Sequence, residues 1–352
     1  MERTAVVLGA TGQIGPAVVR ALAEDGWRVR AVSRGGRDEA WDPQWGVRTV
    51  RADRDDDAQL RAAVGSGCDA LVDVIAYTAG HGRQLRSLAG LVGSAVVVST
   101  SALYTDEEGR GFGTMMGPQG FGVFPEPVDE SQPVVAPAAE GYLEQKRAME
   151  TEALRAPEAG EAALPATLLR VGMPHGPGGL KPAEWWFAKR ALDGRPVRLL
   201  AHGGTTRFHP AHISNIAEAA RLAAGSGGRR VLNIGDPEVP TARRIAEAVD
   251  EVLGVTSEIV GMPGPAESMV GFHPYGVPNP FLLDIGAAER ELGYKPVTGY
   301  LESLPETVDR MLAAIRDRDW RDVFPGLAHH PAGFSFFDYE AEDRWLAAHP
   351  AR

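Results

Sequence analysis

Thr4-Ala5-Val6-Val7-Leu8-Gly9-Ala10-Thr11-Gly12-Gln13-Ile14-Gly15 opens the chain and decides how the rest is read. Thr4–Leu8 is a short apolar run of the kind found in a strand buried on both faces. Ile14–Glu24 has helical spacing, with Ile14, Val18, Ala21 and Leu22 on one face. The glycines lie between the two. Gly9 permits a tight turn, Gly12 lets a phosphate come close to the backbone, and Gly15 lets the helix sit against the strand. Such a loop aims backbone N–H groups and a helix N-terminus at a pyrophosphate. Gly9, Thr11, Gly12, Gln13, Ile14 and Gly15 are therefore candidate dinucleotide-binding residues.

The same rhythm continues. Strands are predicted over Trp27–Ser33, Val47–Ala52, Ala70–Ile75 and Ala95–Ser99, with helices over Ala58–Val64 and Arg83–Val92. Continuous apolar strands joined by helical crossovers indicate an α/β protein, a Rossmann-type doubly wound parallel sheet. Two Gly/Pro-rich stretches interrupt it, Glu107–Ala138 and Gly261–Pro280. The first is too long for an ordinary connection and is expected to be a mobile flap over the cleft or disordered.

Composition narrows the class. The chain has 352 residues, 44% hydrophobic and 24% charged, enough for a sizeable core without metal or disulfides. Lys plus Arg is 36 against 47 Asp plus Glu, a net charge of −11, which argues against nucleic acid or an anionic membrane as partner. One cysteine, Cys68, excludes an internal disulfide and multi-cysteine metal clusters. No run approaches the ~18 apolar residues of a membrane span, and no signal segment is visible, so a cytoplasmic protein acting on a small molecule is expected. A homodimer is left open.

The second strand ends in Val32-Ser33-Arg34-Gly35-Gly36-Arg37. An acidic residue there would hydrogen-bond the ribose 2′-OH of NAD, whereas Ser33, Arg34 and Arg37 suit a 2′-phosphate. NADP is the expected cofactor, with NAD as the alternative. Asp53 could accept from the adenine amino group or brace the turn before Ala58. Tyr142-Leu143-Glu144-Gln145-Lys146 places Tyr142 and Lys146 on one helical face. Ser99-Thr100-Ser101 closes the fifth strand, at the edge where open α/β sheets bind ligands. A nearby ammonium and a cationic nicotinamide would lower the Tyr142 pKa, making it a proton carrier. Lys146 would also hold the nicotinamide ribose, and Thr100 would anchor the reacting oxygen.

These residues resemble an extended short-chain dehydrogenase/reductase of the NAD-dependent epimerase/dehydratase family. The resemblance runs from about Thr4 to about Val308. Gly9–Gly15 is similar to the family's G-x-x-G-x-x-G, and Asp73-Val74-Ile75-Ala76 to its fourth strand, which implies that Ala76 ends at the cofactor. Ser99-Thr100-Ser101-Ala102-Leu103-Tyr104 resembles the S-[ST]-S-x-x-Y-G strand end, and Tyr142 with Lys146 the active pair. Arg170–Pro177 resembles the R-P-x-x-x-Y-G-P turn, with His175 in place of a tyrosine. Arg207 and His212–Ala217 resemble the segment returning to the Rossmann lobe, with Ser214-Asn215 replacing an acidic pair; Leu232–Gly235 and Glu291–Pro296 match late motifs. The resemblance implies a Rossmann lobe of residues 1–170 plus about 207–235, and a smaller, discontinuous substrate lobe of 171–206 and 236–352.

Departures bear on function. Counted back from Tyr104, the hydroxyl position falls on Thr100, with Ser101 its neighbour. Ala102 stands where dehydratases of the family carry glutamate, which argues against dehydration. Arg207 could be one of the arginines that clamp a nucleotide-sugar diphosphate. Between Arg244 and Arg290 there is no Lys or Arg to be the second. Trp185, Trp186, Phe187, Phe272 and Tyr275 suggest either a more apolar pocket or core packing. Ser101, His175, Trp186 and Arg207 are the candidate substrate residues. No metal site is expected: His209 and His212 are separated by Pro210-Ala211, with no third ligand nearby. His329-His330 falls in a Pro/Gly-rich tail and is expected to be exposed. Phe337–Ala348 reads as a C-terminal amphipathic helix with Tyr339 and Trp345 available for docking.

The favoured function is NADP-dependent oxidoreduction of a secondary alcohol or ketone on a polyhydroxylated or natural-product-like molecule. The alternatives are a sugar or nucleotide-sugar epimerase with retained cofactor, and a non-catalytic dinucleotide-sensing or RNA-binding relative.

Overall fold

A computed structural model describes residues 2–35, 40–328 and 335–349. Arg37 and His329-His330 lie outside the described residues. The elements run β1 (Thr4–Leu8), α1 (Gly15–Glu24), β2 (Arg28–Ser33), β3 (Arg48–Arg51), α2 (Asp57–Val64), β4 (Cys68–Asp73), α3 (Ala79–Ser87), β5 (Val92–Thr100), α4 (Tyr142–Ala153) and β6 (Ala166–Val171). There follow β7 (Met173–His175), α5 (Ala183–Leu192), β8 (Val197–Leu200), β9 (Pro210–His212), α6 (Ile213–Ala224), β10 (Arg230–Ile234), α7 (Ala242–Leu253) and β11 (Glu258–Gly261). The last helices are α8 (Gly286–Leu292), α9 (Tyr300–Ala314), α10 (Trp320–Val323), α11 (Pro325–Ala328) and α12 (Tyr339–Ala348).

Seven parallel strands form one sheet in the order β10-β6-β5-β4-β1-β2-β3. Helices cover both faces, so inner strands are buried without alternation: all six residues of β6 are buried. On one face Val6, Leu8, Leu71 and Val97 pack with Leu60 of α2, Leu85 of α3 and Met149 of α4. On the other, α1 packs against α6, and Ser94 Oγ donates to Ala223 O at 3.1 Å. The order reverses between β1 and β4. Their C-terminal ends therefore bound the crevice in which open sheets take ligands.

Two compact units result. The first comprises 1–174, 213–235 and 283–297; the second comprises 175–212, 236–282 and 298–352. Leu283–Val297, which the sequence reading gave to the substrate lobe, packs in the first unit. There Tyr294 Oη donates to Gly235 O (3.1 Å) and Val297 N to Asn215 Oδ1 (2.7 Å). The second unit contains a short parallel pair, β8 with β11. No described helix is long and apolar enough to cross a membrane.

Three local expectations are corrected. The helix expected over Arg83–Val92 instead spans Ala79–Ser87, where Thr78 Oγ1 caps it by accepting from His81 N. Gly90, at φ +84°, turns the chain directly into β5. The stretch Glu107–Ala138 is not a loose flap but a folded loop with its own core. Phe121, Phe124 and Val128 are buried, and Phe121 meets Phe112 at 5.0 Å and Phe124 at 5.4 Å. Buried Asp106 gathers the N–H groups of Glu108, Arg110 and Val123 and the Arg110 guanidinium. Gly109, at φ +78°, turns the chain back with its N–H on Asp106 O, and a Cβ at Gly122 would stand 3.1 Å from Asp106 Oδ2. In the second unit, α12 does not offer Tyr339 and Trp345 for docking. Tyr339 Oη donates to Asp193 (2.6 Å), and Trp345 packs on Leu199, Met262 and Val270.

Candidate active site at the sheet's C-terminal edge

The glycine loop follows β1. Gly9 has φ +80°, and a Cβ there would stand 2.8 Å or less from Val74 and Ile75 beyond β4. Gly15 admits no side chain at all, since a Cβ would lie 2.1 Å from Gly9 O. This contact seats α1 against the end of β1. At Gly12 a Cβ would meet only Gly9 O, at 3.4 Å, so a side chain would project into the space the loop leaves open. α1 starts without a side-chain cap. An uncapped helix start beside a loop with glycine at positions 9, 12 and 15 fits the phosphates of a dinucleotide.

The edges beside the loop are less open than the sequence suggested. Asp53 Oδ1 accepts from Asp55 N (3.0 Å), and Asp53 N donates to Gln59 Oε1 (3.0 Å), so Asp53 braces the turn before α2 through one carboxylate oxygen. Arg54, to which the sequence reading gave no role, is buried and donates to Asp73 Oδ2 at 2.7 Å. It ties the chain after β3 to the end of β4. Ser33 closes β2, where its Oγ accepts from Gly35 N (3.4 Å), and Arg34 is exposed. Arg51 of β3 lies in register with Ser33, and its side chain reaches over Gly35, whose added Cβ would stand 3.5 Å from Nε. Arg51 was missed because adjacency across strands is a property of the sheet.

At the end of β5, Thr100 Oγ1 accepts from Ala102 N (3.2 Å) and caps the single 3-10 turn Ser101–Leu103. Its O–H remains available for a ligand oxygen. Ser101 is buried, whereas Thr100, on which the hydroxyl position falls by sequence, is half-buried. Tyr142 is the first residue of α4 and 58% exposed, whereas Lys146, one turn on, is 3% exposed. Lys146 Nζ donates to Ala76 O (2.7 Å) and Val98 O (2.8 Å). Burial draws its pKa down to about 8, against an upward pull from Asp73 and Glu150. The Tyr142 phenol is raised, not lowered, by desolvation and by neighbouring Tyr77. Lys146 contributes no lowering there.

Beneath these residues runs a buried network. Glu150 of α4 accepts from Ser99 Oγ (2.7 Å) and, through both oxygens, from Arg170 of β6 (3.1 and 2.7 Å). Arg170 lies 4.9 Å from the Tyr104 ring, and Tyr104 Oη donates to Asn233 Oδ1 (2.7 Å). The network fixes α4 against the end of β5, and so sets where Tyr142 and Lys146 stand relative to Thr100.

The candidate substrate residues of the second unit fare differently. Trp186 is a core residue, with the Arg190 guanidinium 3.5 Å above its ring. Trp185, Phe187 and Tyr275 are buried too, so these aromatics are core rather than pocket. His175 is buried with Nε2 2.6 Å from Asp236 Oδ2, and its ring lies 4.5 Å from Tyr300 and 5.0 Å from His212. Burial and the neighbouring His175 depress the His212 pKa to about 4. His209 Nε2 donates to Asp236 O (2.9 Å). Arg207 is half-buried, and its carbonyl accepts from Phe281 N (2.9 Å). Among the described residues no group of three or more His, Cys, Asp or Glu is disposed to hold a metal ion.

Solved structures share this fold at low identity. MoeE5 in complex with UDP-glucuronic acid and NAD is 20% identical, with a TM-score of 0.66 over 89% of this chain and 100% of that one. UDP-glucose 4-epimerase from Thermotoga maritima, with UDP-glucose, is 20% identical, with a TM-score of 0.66 over 88% of this chain and 99% of that one. dTDP-glucose 4,6-dehydratase from Bacillus anthracis in complex with NAD is 17% identical, with a TM-score of 0.66 over 91% and 99%. At these identities the likeness establishes the fold. The model of the NAD dependent epimerase/dehydratase family matches residues 5–235, from β1 through β10. With more than half its length matched, the chain belongs to that family, enzymes of the extended short-chain dehydrogenase/reductase type.

Proposed function

We propose that this enzyme moves hydride between NADP(H) and a secondary alcohol or ketone of a polyhydroxylated or natural-product-like small molecule. The observation that carries the reading is the cluster at the end of β5: an exposed Tyr142, a buried Lys146 one turn away, and a Thr100 hydroxyl whose proton is uncommitted. A bound nicotinamide dinucleotide supplies or accepts the hydride. Tyr142 exchanges the proton with the carbinol or carbonyl oxygen, and Thr100 holds that oxygen by a hydrogen bond. The Lys146 ammonium takes the nicotinamide ribose. The Gly9–Gly15 loop takes the pyrophosphate.

Ala102, in place of an acid, supports redox chemistry over loss of water. The absence of Lys and Arg between Arg244 and Arg290 supports a substrate without a clamped diphosphate. The test against a cofactor-retaining epimerase is direct. Protein purified without added cofactor is denatured and its supernatant assayed, then candidate ketones are supplied with NADPH. The expected result is little bound cofactor and stoichiometric NADPH consumption. Near-equimolar NAD⁺ in the supernatant, with isomers interconverting and no net absorbance change, overturns the reductase reading in favour of the epimerase.

The preference for NADP rests on Ser33, Arg34 and Arg51. Two guanidiniums flanking the end of β2 favour a 2′-phosphate, and among the described residues at that strand end, Ser33 to Gly35, there is no carboxylate. NADPH is expected to bind roughly ten- to a hundredfold tighter than NADH, as the loss of a charge-assisted contact worth about 1.5–3 kcal/mol implies. Arg34→Asp should invert the order and Arg51→Ala should narrow it, both read by cofactor fluorescence. Equal or tighter NADH binding by the unaltered protein refutes the preference.

A further inference from the structure

Tyr77 follows Ala76 just beyond β4, is 42% exposed, and was singled out by no motif. Its ring centroid lies 4.8 Å from Lys146 Nζ and 6.4 Å from the Tyr142 ring. An ammonium carries three N–H donors. Two of those of Lys146 go to Ala76 O and Val98 O, and the ring of Tyr77 flanks the same nitrogen.

We propose that Tyr77 is a positioning residue for Lys146, its π-face holding the ammonium charged and seated against the Ala76 and Val98 carbonyls, one helical turn from Tyr142. The inference rests on the reading of Tyr142 and Lys146 as the reacting pair.

The surroundings show why a ring is needed. Lys146 is buried, and burial favours the neutral amine. Two carboxylates face it, Asp73 from β4 and Glu150 from its own helix, together with one cation, Arg54 from beyond β3. Asp73 is already paired with Arg54 at 2.7 Å, and Glu150 with Arg170 at 2.7 Å. Each pair spends much of its field internally. The ring quadrupole of Tyr77 has no such competitor, and a cation over an aromatic face gains most where water is excluded.

The chain has only four lysines, Lys146, Lys181, Lys189 and Lys295, so ¹³Cε-lysine NMR of the whole protein resolves the titration, with Lys146→Arg assigning the signal. Tyr77→Phe should keep the Lys146 midpoint close to the unaltered one. Tyr77→Leu, apolar but without a quadrupole, should lower it by roughly 0.5–1 pH unit. The basic limb of kcat/KM should move with it. Phenylalanines of increasing fluorination at position 77 weaken the quadrupole at nearly constant shape, and should lower the midpoint stepwise. A Lys146 midpoint unmoved by Tyr77→Leu, or flat across the fluorinated series, overturns the inference. A different result sinks the underlying reading instead: a shifted Lys146 midpoint together with full turnover in Tyr142→Phe.

Discussion

Tyr142→Phe should reduce turnover by about 10²–10⁴-fold, the usual value of a positioned proton carrier, while leaving the cofactor dissociation constant nearly unchanged. The split follows from geometry. Tyr142 stands at the exposed first turn of α4 with 58% of its surface accessible, and the substitution removes one oxygen without opening a cavity. Lys146 makes the contrast, since its side chain is buried and holds the Ala76 and Val98 carbonyls. Lys146→Ala should therefore damage cofactor binding and stability as well as turnover. The Tyr142 phenol is raised by desolvation and by Tyr77. Protein without added cofactor should therefore show no phenolate absorbance at Tyr142 near neutral pH. Pre-steady-state hydride transfer and cofactor titration on the same preparations measure the two effects separately. A Tyr142→Phe enzyme at near-normal rate removes Tyr142 from the mechanism.

Arg170→Met should cost about 3–5 kcal/mol of stability, because it strands Glu150 as a buried carboxylate without its bidentate partner. Both groups are almost completely buried, and the pair spans α4 and β6 at 2.7 Å. Arg147, at 3.2 Å from the same Glu150 Oε2, is partly exposed and replaces only a fraction of the lost interaction. The double variant Glu150→Met/Arg170→Met should recover much of the loss, since an apolar pair of similar volume avoids an unpaired buried charge. Urea unfolding of Glu150→Met, Arg170→Met and the double variant measures this. A single variant as stable as the parent, or a double variant worse than either single one, refutes the account. Because Glu150 also accepts from Ser99, the residue before Thr100, Arg170→Met should lower turnover even at temperatures where the protein stays folded.

Local and periodic features of this chain were legible in the sequence. The apolar runs of β1, β2, β4 and β5, the helical spacing of α1 and the glycines between Leu8 and Pro16 specify a parallel sheet with a dinucleotide loop. Each depends on residues a few positions apart, where strand burial, helix periodicity and the space left by a missing Cβ act directly. Tyr142 and Lys146 were readable for the same reason, one helical turn separating them. What could not be read locally was whatever depends on which strands become neighbours. Arg51 reaches the end of β2 only because β3 lies beside it in register. Arg54 finds Asp73, and Tyr77 finds Lys146, only where chain ends meet at the C-terminal edge of the sheet. The same limit explains the errors. Glycine-rich 107–138 looks unanchored until Asp106 and the Phe112–Phe121–Phe124 cluster are brought together. Trp186 looks like a pocket wall until Arg190 is stacked on it. Composition reports the conformational freedom a segment has to lose, but the burial and hydrogen bonds that compensate for it arise between residues distant in sequence, and only the folded chain decides which of them meet.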